Sequence, residues 1–382
     1  MEQHPELPYW LALRRAGLGS TNFALLLARF GTIEAAWNAP SELVQSAGLE
    51  PQYQRAMAKA KSTFDADREL SLMVKHGAHA LTWLDESYPT SLRDIPQSPP
   101  VIFIRGAQGP QFEQAVAVVG TRHVTPYGRQ AAEHFCSVLA DAGVAIISGL
   151  ARGVDAIAHR VAIEHGAPTV AVLAGGIDQV YPRENAGLAE RITEVGCLVS
   201  EYPVGIPARR DYFPRRNRIL SGLAKAALLV EAGEGSGALH TANWAFEQGR
   251  DVFAIPGSIF SRQSYGTNQL IRENTAKLVA TPEQLCEELN LIATGVPATI
   301  ALQAESQPAL FEKRPAPSPK QQKAPVKQDD HPLLKWLVDG PLHIDEIARN
   351  AGLPIAQVSG SLQILELEGR VRSAGAMTYA IS

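Results

Sequence analysis

Between residues 115 and 257, short unbroken apolar runs alternate with amphipathic stretches. AVAVVG (115–120) precedes a helical pattern near 126–142, and VAIISG (144–149) precedes one near 153–165. PTVAVLAGG (168–176) precedes one near 183–195, and CLVSEYP (197–203) leads into a basic stretch. AALLVEAG (226–233) precedes a helix near 238–248, and DVFAIPG (251–257) follows. Apolar runs without polar alternation predict strands buried on both faces, and their regular exchange with helices predicts a mainly parallel α/β sheet. Such sheets bind ligands beyond the carboxyl ends of their strands. Gly120, Gly149, Gly175, Gly233 and Gly257 all end or follow strands, so their turns are expected along one edge.

The flanks follow other patterns. Residues 1–76 show helical spacing in PYWLALRRAGL, TNFALLLARFG and IEAAWNAPSELVQSAGL, punctuated by Gly17, Gly19, Gly31 and Gly48. Short helices joined by a G-x-G turn are similar to a helix-hairpin-helix or SAM-type module. Residues 77–292 hold the sheet, with a further strand in SPPVIFIRG. Residues 293–330, rich in Pro, Gln, Lys and Ala without apolar periodicity, read as a flexible linker. Residues 331–382 predict three helices and a hairpin, the plan of a winged helix. Its third helix, PIAQVSGSLQILELEG, has no Lys or Arg and carries Glu366 and Glu368, which favours a protein contact over duplex reading.

Composition narrows the function classes. The 382 residues carry a formal charge of -4, with 45% hydrophobic and 19% charged residues. No apolar run is long enough for a membrane helix, and MEQHPELPYW is not a secretion signal. Cys136, Cys197 and Cys286 are far apart, as expected of a cytoplasmic protein without a disulfide framework or cysteine metal site. In this slightly acidic chain, RRDYFPRRNR (209–218) packs Arg209, Arg210, Arg215, Arg216 and Arg218 around Tyr212 and Phe213. Guanidinium forks match phosphate oxygens and aromatic faces stack on unpaired bases. The helix following this run is expected to begin near Arg216.

The strand-end turns supply partners for that stretch. VVGTRHVTPYG places Gly120, Thr121 and Arg122 where a strand meets a helix, and SGLARGVDAIAH places Ser148, Gly149 and Arg152 at a second such turn. Both offer helix N-termini to an anion. Asp155 and His159, four apart, are expected to serve packing and not catalysis. EAGEGSGALHTA offers Gly235, Ser236 and Gly237 as a further anion nest, without the lysine of a P-loop. Arg122 and Thr125 stand where a dinucleotide fingerprint needs glycines. No catalytic, cofactor or metal motif is present, so none of these is expected. The enzymatic alternative, a nucleotide phosphoribohydrolase of related fold, lacks its P-G-G-x-G-T-x-x-E signature here.

The ordered set VVGTR, SGLARGVDAIAH, AVLAGGIDQVYPREN, LVSEYPVG, FPRRNRILSGL, LLVEAGEGSGALHTA and VFAIPG resembles the DNA-processing protein DprA (Smf) family. The resemblance implies an extended Rossmann-like, doubly wound parallel sheet flanked by the helical and winged-helix domains. It implies a homodimer that binds single-stranded DNA without sequence preference and loads the RecA recombinase during natural transformation. Carried over by motif, the DNA-contacting residues are Gly120, Thr121, Arg122, Ser148, Gly149, Arg152, Phe213, Arg215, Asn217 and Arg218. Arg209 and Arg210 lie outside the motif and would only strengthen the field.

Overall fold

The computed structural model describes residues 4–107, 109, 112, 114–290, 331–338, 340–367, 369–373 and 377–381. The segment 293–330, expected as a linker, lies outside the described residues. The chain forms two compact units, Met1–Ala301 and Leu302–Ser382.

The first unit opens with six described helices: α1 (Leu7–Arg15), α2 (Ser20–Phe30), α3 (Ile33–Asn38), α4 (Ser41–Ser46), α5 (Pro51–Thr63) and α6 (Ala66–Lys75). A lead-in follows, with strand β1 (His79–Thr82), the short helix α7 (Thr90–Arg93) and strand β2 (Val101–Gly106). The alternating part is β3 (Ala115–Val119), α8 (Pro126–Asp141), β4 (Ala145–Ser148), α9 (Val154–Glu164), β5 (Thr169–Val172), α10 (Ala186–Val195) and β6 (Cys197–Ser200). It continues through α11 (Tyr212–Leu223), β7 (Ala226–Leu229), α12 (Gly237–Glu247), β8 (Asp251–Ala254), α13 (Tyr265–Arg272), β9 (Lys277–Leu278) and α14 (Pro282–Glu288).

Among the described residues the sheet runs β1-β2-β6-β5-β4-β3-β7-β8-β9. The lead-in strands pair antiparallel, β1 with β2 and β2 with β6, while β6 through β9 are parallel. Strand order reverses between β3 and β7, which is the switch point where open α/β sheets hold their ligands. The mainly parallel sheet follows from the apolar runs: every residue of β3, β4, β5, β6 and β7 is buried. Alternate side chains feed opposite cores. Ala117 and Val119 pack with Ile219 and Leu220 of α11, whereas Val116 and Val118 pack with Phe135 of α8 and Ile157 of α9. The N-terminal helices do not stand apart. Trp10, Leu11 and Phe23 share a core with Val101 and Phe103 of β2 and Leu198 of β6.

The second unit contains α15 (Leu334–Leu337), β10 (Leu342–His343), α16 (Ile344–Ala351), α17 (Ile355–Leu367), β11 (Val371–Ser373) and β12 (Thr378–Ile381). Its small sheet runs β10-β12-β11 over a core of Leu337, Ile347, Val358 and Leu362, a winged-helix arrangement.

Asp155 and His159 turn out to serve different partners. Thr169 Oγ1 donates to the Ile146 carbonyl and, with its proton so used, accepts from His159 Nδ1, both at 2.7 Å. The fully buried His159 Nε2 has no hydrogen-bond partner among the described residues. Charging the ring would place a second N–H there with nothing to receive it. Burial, and then the nearby Arg216, lower the His159 pKa to about 3. A depressed histidine pKa means that the unfolded chain binds the proton more tightly, so stability falls as pH drops from the ordinary histidine range toward 3. In urea titrations, His159→Leu should flatten the pH dependence of unfolding free energy between about pH 6 and 4, by up to ~1.4 kcal/mol per pH unit. Parallel curves for the two proteins would contradict this role.

Candidate nucleic-acid site at the strand-end edge

The arginine stretch is helix and not loop. α11 begins at Tyr212, ahead of the expected start near Arg216. Pro214 is its third residue, where a missing N–H costs no intrahelical bond. Helical spacing then divides the run. Phe213, Arg216, Asn217 and Leu220 line a cavity of about 440 Å³ together with Gly120, Thr121 and Arg122 after β3 and residues 233–238, His240 and Thr241 after β7. Tyr212, Arg215 and Arg218 face a different cavity, beside the N-terminal helices.

The first cavity lies at the sheet's switch point. The exposed Arg122 places its guanidinium over the Phe213 ring, 5.5 Å from the centroid, and Arg216 approaches the same ring at 6.0 Å. Tyr181 meets Phe213 edge-on at 5.7 Å. Asn217 Nδ2 donates to the Gly237 carbonyl at 3.2 Å and thereby ties α11 to the glycine-rich turn.

Of the helix N-termini at this edge, two are already neutralised from within. Glu231 accepts from the Thr125 amide at 3.0 Å and the Thr125 hydroxyl at 2.7 Å, at the start of α8. Asp155 accepts from the amides of Gly149 and Ala151 at 3.1 and 3.3 Å, ahead of α9. The donors foreseen at the second turn are therefore occupied by the protein's own carboxylate. At α12 the first turn contains no acidic residue, and the Ser236 hydroxyl accepts from Ala238 at 3.4 Å. Its start, with Gly235 and Gly237, keeps a positive dipole end facing the cavity.

Beneath the cavity, Arg216 is 4% exposed and bonds the carbonyls of Gly149 (3.0 Å) and Val172. Burial, and then Arg122, lower its pKa to about 10, with Asp155 opposing. At neutral pH it stays charged. Burial raises the Asp155 pKa and Arg216 counters it. At Gly149 the backbone passes directly against the buried arginine, and a Cβ there would collide with the Arg216 guanidinium. Gly153, at φ +74°, lets the second turn pass against the Thr121 carbonyl.

The sequence-derived contact set is thus split. Gly120, Thr121, Arg122, Phe213 and Asn217 converge on one cavity. Ser148 is fully buried and donates to the Val118 carbonyl at 2.7 Å, and Gly149 is buried beneath it. Arg152 is exposed but held by a two-pronged pair with Glu184, both bonds 2.7 Å. Arg218 is 7% exposed and grips both oxygens of Glu201, at 3.2 and 2.8 Å; Arg14 of α1 takes the same carboxylate at 3.3 Å. Arg215 is exposed, away from the first cavity. Sequence reasoning did not pick out Arg216, His240 or Gln263 as lining residues. Arg216 was legible in principle, being three residues from Phe213 on the same helical face. Gln263 is joined to Thr121 Oγ1 at 3.2 Å by tertiary packing alone.

Arg218→Ala leaves Glu201 with Arg14 as its counterion but strips the two Arg218 hydrogen bonds from a buried carboxylate, so it should cost about 1.5–3 kcal/mol in urea unfolding. Arg122→Ala, at an exposed position, should change stability by less than ~0.5 kcal/mol. Equal, small effects would contradict the assignment of Arg218 to the scaffold.

The chain matches two family models, DNA recombination-mediator protein A over residues 79–290 and the DprA winged helix domain over residues 316–377. It is 33% identical to Protein Smf of Synechocystis, with 98% of each chain covered, and 37% identical to Protein Smf of Escherichia coli, with 80% of each covered. Among solved structures it is similar to DNA processing protein A of Streptococcus pneumoniae, at a TM-score of 0.65 and 32% identity over 75% of this chain and 99% of that one. DNA processing protein A of Helicobacter pylori, described for its single-stranded DNA binding mode, matches at a TM-score of 0.51 and 26% identity, over 56% of this chain and 95% of that one. The mainly parallel sheet and the winged-helix tail agree with these matches, and the chain belongs to the DprA (Smf) family of DNA recombination mediators.

Proposed function

We propose that this protein is a non-enzymatic single-stranded DNA binder that protects incoming strands and loads RecA during natural transformation. The observation that carries this reading is the exposed Arg122 guanidinium stacked on Phe213 at the switch point, beside the open start of α12. A phosphate fits between the guanidinium and the helix start, and a base fits against the ring. The Helicobacter relative, described as binding single-stranded DNA, supports the substrate class. The buried acids beneath the cavity support a binding role. Asp155 and Glu231 are committed to backbone amides, as a scaffold would require. The contact residues follow from the cavity lining: Gly120, Thr121, Arg122, Phe213 and Asn217 meet the strand, while Arg216 and Arg218 hold the wall in place.

Homodimerisation is part of the same reading. Ile259 and Phe260, 85% and 92% exposed in the turn before α13, provide an apolar contact that a second copy would cover. Light scattering should give a dimer for the wild type and a shift toward monomer for Phe260→Glu. An unshifted dimer would remove this surface from the interface.

In fluorescence anisotropy with oligothymidylate, Arg122→Ala should weaken binding by about 1–3 kcal/mol with the fold intact, and affinity should fall steeply with salt. Arg152→Ala should do less, because Glu184 already holds that guanidinium. Unchanged affinity for Arg122→Ala would refute the site. Release of free base from nucleoside monophosphates by purified protein would instead favour the phosphoribohydrolase alternative.

A further inference from the structure

The second cavity, about 600 Å³, lies on the other face of α11, where the N-terminal helices meet the sheet edge. Four arginines line it: Arg14 and Arg15 at the end of α1, and Arg215 and Arg218 of α11. Against them stand Glu201 and Glu50, with Glu69 held by Arg15 at 2.6 Å. Arg14 and Arg218 share the single carboxylate of Glu201, so one positive charge there has no counterion among the described residues. Arg215 is exposed and has no ion-pair partner among the described residues. The charge balance of the wall is positive in a chain whose net charge is negative.

The same wall holds a tyrosine hydroxyl without a partner. Tyr202 is 7% exposed, lines the cavity, and its hydroxyl makes no hydrogen bond among the described residues. Burial, and then Glu201, push its pKa upward, so the hydroxyl keeps its proton and remains a donor. Its ring is already taken: Tyr202 stacks on Tyr212 at 4.1 Å, with Arg14 at 5.6 Å, and Arg209 lies 5.3 Å from the Tyr212 ring. These two rings therefore offer edges and donors, with little free face for a base. The start of α2 joins the lining with Gly19, Ser20 and Thr21; it has no side-chain cap and no acid in its first turn. Guanidinium forks, a phenol donor and free amides suit phosphate oxygens.

We propose that this second cavity extends the strand path: it holds backbone phosphates of the same single strand whose neighbouring nucleotides lie in the first cavity, across the first turn of α11. The extension rests on the single-strand reading above. It makes the N-terminal helices part of the binding surface. α11 divides the work by helical spacing, with residues 213, 216 and 217 on one side and 212, 215 and 218 on the other.

The test uses the full-length protein, the double variant Arg215→Ala/Tyr202→Phe, and oligothymidylates of about 4 and about 16 nucleotides. Both substitutions spare the Glu201 ion pairs, and Tyr202→Phe keeps the ring stack. The longer strand should lose about tenfold in affinity while the shorter one is unaffected. The salt slope for the longer strand should shrink by about 0.7 for each phosphate that the variant no longer neutralises. Arg122→Ala should weaken both lengths. Equal effects of the double variant on the two lengths, or none on either with an intact fold, would overturn the extension and leave the first cavity standing. Displacement of the longer strand equally well by a duplex or by inorganic phosphate would overturn its single-strand assignment. A wild-type protein that binds neither strand would sink both readings together.

Discussion

A single guanidinium under the sheet edge organises the site. Arg216 is buried where charge is expensive, and it is kept there by the carbonyls of Gly149 and Val172 and by the Asp155 carboxylate nearby. Asp155 in turn orders the second strand-end turn through the amides of Gly149 and Ala151. The far end of the same helix turn carries the half-buried Phe213, with the Arg122 guanidinium 5.5 Å from its centroid. Arg122 and Arg216 thus meet at one ring, and with the Tyr181 edge they hold it as a platform. Fixing such a surface before a ligand arrives lowers the entropy lost on binding.

The N-terminal helices are attached by the same logic. Glu201 follows β6 and receives Arg218 from α11 and Arg14 from α1, so one buried carboxylate joins the sheet, the helix that carries the site, and the accessory module. Arg15 adds a bond to the Val204 carbonyl, and Trp10 packs on Phe23 at 5.0 Å and on Trp83 at 6.1 Å. The shared apolar core beneath these polar ties explains why helices that look separate in sequence fall within one compact unit.

Much of the architecture was legible in the chain. The runs AVAVVG, VAIISG and AALLVEAG became β3, β4 and β7, because strands buried on both faces need unbroken apolar residues. The glycine turns fell along one edge, and Gly120, Thr121, Arg122, Phe213 and Asn217 met in one cavity. α11 begins at Tyr212 and not near Arg216, because a proline in the first turn, here Pro214, loses no hydrogen bond. β1 and β9 carry too little periodicity to stand out: β1 has four residues and β9 two.

By itself, then, the sequence determined the order of the central strands and helices, the mainly parallel sheet and the family, since periodicity and motif order are local properties of the chain. It also located the arginines without ranking them. Which arginine faces solvent and which is buried was decided by tertiary structure. Arg215, Arg216 and Arg218 differ only in their angle around α11, and each angle acquires a meaning only when Glu201, Gly149 and Asp155 arrive from elsewhere in the chain. Helix starts were settled in the same way. α8 looks as open as α12 in sequence, and only folding brings Glu231 to its donors.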